Sequence, residues 1–149
     1  METLQITKEN VVKAYKEGND KQKALLINLF GKKHFIGKPS TWAEVLDYHN
    51  TIQDAFDAQF GDLDEQGQAN EQIKMIAQAL NEGVVMAPFD TSQNKYYPYF
   101  KVENNAFVYL DCDYWRSRTG VGSRLCYKSS ELAIYAGKTF IDIYKKLLS

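Results

Sequence analysis

The sequence predicts an α+β fold: N-terminal helices (about four), then a small antiparallel sheet of about three strands, then a C-terminal helix packed on it. Three observations carry this. Apolar residues recur at three- and four-residue intervals through residues 8–83, as one buried helix face requires. Eight of the 20 aromatic residues then fall within residues 96–115, where apolar and polar positions alternate as in strands. Helical spacing returns from Leu132 to Leu147. A length of 149 residues suits a single α+β domain, 1–149, with a helical part over about 1–83 and a sheet plus terminal helix over about 96–149.

Thr7 is a helix cap in front of residues 8–17, which turn Val11, Val12 and Tyr15 inward. Gly18-Asn19-Asp20 ends that helix, and Asp20 caps a second one that buries Leu25, Leu26, Leu29 and Phe30 and stops at Gly31. The pair reads as a helical hairpin. Lys21 and Lys23 stand where a DNA-reading helix makes its first base contacts, but no Arg, Gln or Asn array follows. Thr41-Trp42-Ala43-Glu44 is a capping box opening a helix over about 42–60. Trp42, Val45, Leu46, His49, Ile52, Phe56 and Phe60 share one face of it. Residues 61–69 read as a polar loop, and Asn70 as the cap of a helix that buries Ile73, Ile76, Ala77 and Leu80.

Strands are expected at about 97–102, 106–114 and 123–127, with Glu103-Asn104-Asn105 turning the first into the second. Pro98 has no N–H for a ladder, so the first strand belongs at an edge. Ser129 or Ser130 caps the last helix, whose stripe is Leu132, Ala136, Phe140, Ile143 and Leu147. Lys145 and Lys146 suit the negative end of its dipole.

The net charge of −1 hides segregation. Residues 1–38 hold eight lysines and four acids, residues 39–95 two lysines and ten acids, and residues 96–149 eight basic and five acidic residues. An acidic middle between basic ends excludes the continuous basic surface of a general nucleic-acid binder and fits docking on a basic partner. No apolar run reaches membrane-spanning length, and the first residues lack the apolar core of a signal peptide. Two cysteines, Cys112 and Cys126, do not make a disulfide framework, so an intracellular, cytoplasmic protein with free thiols is expected.

Three constellations are candidates for function. Asp62, Asp64 and Glu65 lie in the predicted loop 61–69; Asp62, Asp64 and Gln66 imitate the start of a calcium loop, but Ile73 stands where its bidentate Glu belongs. Arg116, Arg118 and Arg124, with two glycines and three hydroxyl residues between them, form a loop suited to an anion. Its glycine spacing is not that of a phosphate-binding P-loop. Tyr97, Tyr99 and Trp115 on the aromatic sheet suit a protein interface. Strict alternation puts Phe107, Tyr109, Asp111, Asp113 and Trp115 on one face, where the carboxylates would repel phosphate. His34 and His49 are the only histidines, so no zinc set is expected; neither is a magnesium site from Asp111 and Asp113 alone, nor a Ser-His-acid triad. No catalytic residue, metal or cofactor is therefore expected.

The run Ser123-Arg124-Leu125-Cys126-Tyr127-Lys128-Ser129-Ser130-Glu131-Leu132-Ala133-Ile134-Tyr135-Ala136-Gly137-Lys138-Thr139-Phe140-Ile141-Asp142-Ile143-Tyr144 resembles the ending of many uncharacterised small proteins encoded by Bacteroides-type bacteria and their phages or prophages. Residues 6–15, Ala24-Leu25-Leu26, residues 29–32, Ala79-Leu80-Asn81-Glu82-Gly83 and Tyr96-Tyr97-Pro98 are similar to the same group, so about half the chain is covered. The resemblance implies a mobile-element origin and action inside the cell, and carries over no catalytic residue. The expectation is a non-enzymatic phage- or prophage-derived protein that docks on another protein, as an assembly component or as a factor modulating a host process such as defence. One form of it is an acidic decoy filling a nucleic-acid channel on a host protein. The alternative expectation is a module for a small anionic ligand or nucleic acid, built on the Arg116, Arg118 and Arg124 loop and the aromatic sheet.

Overall fold

The computed structural model describes residues 2–149 and is α+β, with seven helices and one two-stranded sheet among those residues. The hairpin forms as expected from α1 (Lys8–Glu17) and α2 (Asp20–Phe30). Thr7 Oγ1 accepts from Asn10 N and caps α1. The cap of α2 is Asn19 rather than Asp20: its carboxamide accepts from Gln22 N at 2.9 Å, while Gln22 Oε1 accepts from Asn19 N. That reciprocal pair needs a Gln three residues on, which only Asn19 has. The expected burial of α2 fails. No residue of α2 is buried, and Leu25 and Leu29 are 56% and 64% exposed, because this helix packs mainly on α1 and on the 3₁₀ turn Lys32–His34.

The helix expected over 42–60 is two: α3 (Trp42–Tyr48) and α4 (Gln53–Phe60). Asn50 breaks it in the left-handed region at φ 51°, which Asn tolerates better than other side chains. The apolar stripe survives the break. Trp42 meets Phe56 edge-on at 5.2 Å, and its Nε1 donates to Gln53 Oε1 at 2.7 Å. The next helix, α5 (Glu65–Leu80), begins six residues before its expected start. Asp64 caps it by accepting from Gly67 N at 2.7 Å, so most of the predicted 61–69 loop is helical.

α5 is the spine of the molecule. Ile73, Ile76, Ala77 and Leu80 face Tyr127 and two C-terminal helices, α6 (Ser130–Thr139) and α7 (Ile141–Leu148). These two were expected as one; the interruption at Phe140 lets Phe140 and Tyr144 both enter the core. Deep inside, the hydroxyls of Tyr127 and Tyr144 hydrogen-bond at 2.7 Å. Burial raises the pKa values of both phenols well above the usual value.

The sheet pairs β1 (Lys95–Glu103) with β2 (Ala106–Trp115) through Asn104-Asn105, both at positive φ as a two-residue hairpin turn requires. The third expected strand is absent. Its residues form a 3₁₀ turn, Ser123–Leu125, and then one bridge in which Tyr127 and Tyr96 exchange N–H···O bonds of 2.7 and 3.0 Å. Pro98 occupies the next outward position of β1 and has no N–H, so the pairing stops there. A bulge also overturns strict alternation in β2. Tyr99 faces Asp111, but Phe100 faces Tyr109, so Leu110 has no partner. Phe107 stacks on Phe100 at 4.7 Å toward the core, and Tyr109 meets Phe100 edge-on, while Asp111, Asp113 and Trp115 lie on the other face.

Candidate functional site

An acidic shoulder lies on α4 and the start of α5. Asp54, Asp57, Asp62, Asp64 and Glu65 are all exposed, beside the exposed apolar side chains of Ile52 and Leu63. Asp64 is spent on capping α5, and Asp57 accepts from Gln53 Nε2 at 2.8 Å. Glu65 has only a loose pairing with Lys146 at 3.8 Å. Asp54 and Asp62 make no ion pair among the described residues. A calcium loop is ruled out locally. The backbone from Glu65 onward is helical and Ile73 is fully buried, so the segment cannot wrap an ion. No group of three or more metal-ligating side chains gathers elsewhere among the described residues.

The outer face of the sheet carries a strip of alternating phenols and carboxylates, with Tyr97 opposite Asp113 and Tyr99 opposite Asp111. Asp111 Oδ1 accepts from Cys112 N at 2.8 Å and Asp113 Oδ1 from Tyr114 N at 2.7 Å. Tyr96 spends its outward N–H and C=O on Tyr127, so its partner Tyr114 also points its backbone away from β1. The two aspartates therefore satisfy and charge the free edge of β2, which discourages edge-to-edge pairing. Burial, followed by the nearby Asp113 carboxylate, raises the Tyr97 phenol above its ordinary value. Tyr99 is exposed, but Trp115 is only 7% exposed, so it is a core residue and offers no contact surface.

Trp115 is held by a group that no sequence pattern singles out. Lys95 is entirely buried without a carboxylate partner. Its ammonium lies 4.6 Å from the Trp115 ring centroid and donates to the carbonyls of Asp90 at 2.7 Å and Gln93 at 3.1 Å, with Arg116 O at 3.5 Å. Three carbonyl dipoles and a π-face replace its water. The ammonium thereby ties the loop before β1 to the loop after β2. Gln93 braces the first loop further, accepting from Ala87 N and donating to Val85 O. At its tip Phe89 is 95% exposed.

The arginine loop does not assemble as one cradle. Arg116 Nε donates to Asn94 Oδ1 at 2.6 Å, with its guanidinium 5.8 Å from the Tyr114 ring centroid. Arg118 is exposed on the loop. Arg124 instead lines a groove of about 750 Å³ between α5, the turn after α3 and residues 83–86. His49, Lys74, Gln78 and Met86 share that groove. His49 Nε2 donates to Met75 O at 2.8 Å, which leaves Nδ1 free as an acceptor. Lys74 is neutralised by Glu71 at 2.7 Å. Asn81, also unforeseen, forms the floor: its buried carboxamide donates to Cys126 O and accepts from Lys128 N. Cys126 beside it is pushed up to about 11, chiefly by burial, so its thiol stays protonated at neutral pH.

Among known proteins, no family model, curated protein or solved structure matches this chain. No helix of the described residues is long and apolar enough to cross a membrane.

Proposed function

We propose that this chain is a non-enzymatic binding protein of phage or prophage origin that acts by docking on another protein. The acidic shoulder is the observation that carries the reading: exposed carboxylates, two of them unpaired, beside exposed Ile52 and Leu63, on helices fixed by their own packing. Such a surface combines long-range attraction for a basic partner with apolar area to hold it. The Tyr97, Tyr99, Asp111 and Asp113 strip and the braced Phe89 add aromatic anchors of the kind interfaces use. The partner's class is basic protein surface, and an acidic decoy for a nucleic-acid channel is one form of it. Charge reversal at Asp54, Asp62 and Glu65, sparing the Asp64 cap, weakens partner binding at least tenfold and flattens its salt dependence. Unchanged affinity would sink the reading.

A second reading has one observation in its favour. Arg124 lines the groove of about 750 Å³ and has no ion pair among the described residues, so the groove offers a free guanidinium to a small anion. Arg124→Ala abolishes binding of phosphate or a nucleotide if that reading is right, and leaves the thermal midpoint unchanged.

A further inference from the structure

The basic hairpin raises a question that the acidic shoulder answers. An amphipathic helix ordinarily buries its apolar stripe, yet α2 contributes nothing to the core. Lys21, Leu25 and Leu29 recur every four residues along α2, so two exposed leucines lie in a row behind a lysine, and exposed Lys33 stands in the 3₁₀ turn that follows the helix. Phe30 adds a partly exposed ring beside the stripe. Residues 1–38 hold eight lysines against four acids. Among the described residues Lys13, Lys16, Lys21, Lys23 and Lys33 make no ion pair. The acidic shoulder has the matching composition: Asp54 and Asp62 unpaired, beside Ile52 and Leu63 at 64% and 43% exposure. No ion pair or hydrogen bond joins the two surfaces within the described chain, since α2 packs on α1 and α4 packs on α5.

We infer that the occupant of the shoulder is a second copy of this chain, docked through its α1–α2 hairpin. The leucine row of one molecule covers Ile52 and Leu63 of the next, and the lysines at its ends meet the aspartates. The two surfaces differ, so the contact is head-to-tail, and a docked pair keeps one free surface of each kind. Such contacts close into a ring or run on as a filament. The inference rests on the reading of the shoulder as a docking surface and names its partner.

Charge reversal on each surface in turn provides the test, followed by sedimentation velocity at about 0.05 M and about 0.5 M salt, where screening lengths differ roughly threefold. K21E/K33E and D54K/D62K alter exposed side chains that have no ion-pair partner and cap no helix. The wild-type chain sediments above its 17.1 kDa monomer mass at low salt and returns to it at high salt. Each reversed variant stays monomeric at low salt. Their equimolar mixture restores an unaltered contact, the wild-type hairpin of D54K/D62K on the wild-type shoulder of K21E/K33E, and sediments at twice the monomer mass or more. A mixture that stays monomeric overturns the inference, as do reversed variants that associate like wild type. A wild-type chain that is monomeric throughout, yet loses a different protein partner on D54K/D62K, also overturns self-association while leaving the docking reading standing. Loss of neither overturns both.

Discussion

Gly137 sets how closely α6 lies on the sheet, and replacing it with alanine measures that distance. An added Cβ would stand 2.7 Å from Pro98 Cβ and 2.9 Å from Tyr109 Cδ2. Carbon contacts settle at about 3.5–4.0 Å, so roughly 1 Å of separation must be found. Pro98 cannot supply it, because its ring is rigid and its strand is pinned two residues earlier by the Tyr96–Tyr127 bridge. Tyr109 is held edge-on by Phe100, with the Lys138 ammonium 5.3 Å from its ring centroid. The helix must therefore move, which costs about 1–3 kcal/mol for overpacking of this kind. Alanine recovers about 1 kcal/mol of helix propensity over glycine in a helix interior. The crowding wins: we expect Gly137→Ala to lose up to about 2 kcal/mol in urea titrations and to lower the thermal midpoint by up to roughly 8 °C. Valine should lose more. A gain of about 1 kcal/mol would mean that propensity alone acts, that α6 stands away from the sheet, and that the account of the helix–sheet contact is wrong.

Asn81→Ala leaves the Cys126 carbonyl and the Lys128 N–H without partners, at a cost of about 2–4 kcal/mol in chemical unfolding. A loss under about 0.5 kcal/mol would mean that water replaces the side chain at no cost. Alkaline pH should destabilise the fold. Tyr127, Tyr144 and Cys126 hold their protons more tightly when buried than when unfolded, so the unfolded chain releases protons first and stability falls as pH rises above about 9. Urea midpoints that do not change between pH 8 and pH 11 would contradict this. In native protein at pH 8, partly exposed Cys112 should react with a thiol reagent well before Cys126. Equal rates would mean that the segment around Cys126 opens readily.

The α+β class, the hairpin helices and the place of the turn between β1 and β2 were legible because each has a short-range cause, although Glu103 belongs to β1 rather than to the turn. Thr7 caps by its own hydroxyl, and Asn104-Asn105 tolerates positive φ. What misled the reading was set by neighbours distant in sequence or by a single irregular residue. The capping potential of Asp64 competed with that of Asn70, and the longer helix won because Ala69 and Ile73 both find the core. Leu110 bulges out of β2 and exchanges the faces of every residue on one side of it, which a period-two pattern cannot foresee. The third strand was lost to Pro98, whose meaning as an edge residue was readable although its consequence for residues 123–127 was not.

The surfaces divide in the same way. Asp62, Asp64 and Glu65 stand out in the sequence because acids cluster there, and the structure leaves them exposed. Trp115 was misplaced because an aromatic at a strand end fits a core as well as an interface. Its burial depends on Lys95, twenty residues earlier, lying over its ring. Arg116 and Arg124 are neighbours in sequence, yet one is drawn to Asn94 and the other to the α5 groove.

The most direct test of the docking account is capture from the lysate of the host, with and without nuclease, using the wild-type chain and D54K/D62K side by side and identifying bound material by mass spectrometry. The account predicts a protein bound in stoichiometric amount by the wild type, a second copy of the chain included, resistant to nuclease and absent from the reversed variant. Recovery of nucleic acid or a small anion alone, or of a protein that D54K/D62K retains equally, would contradict it.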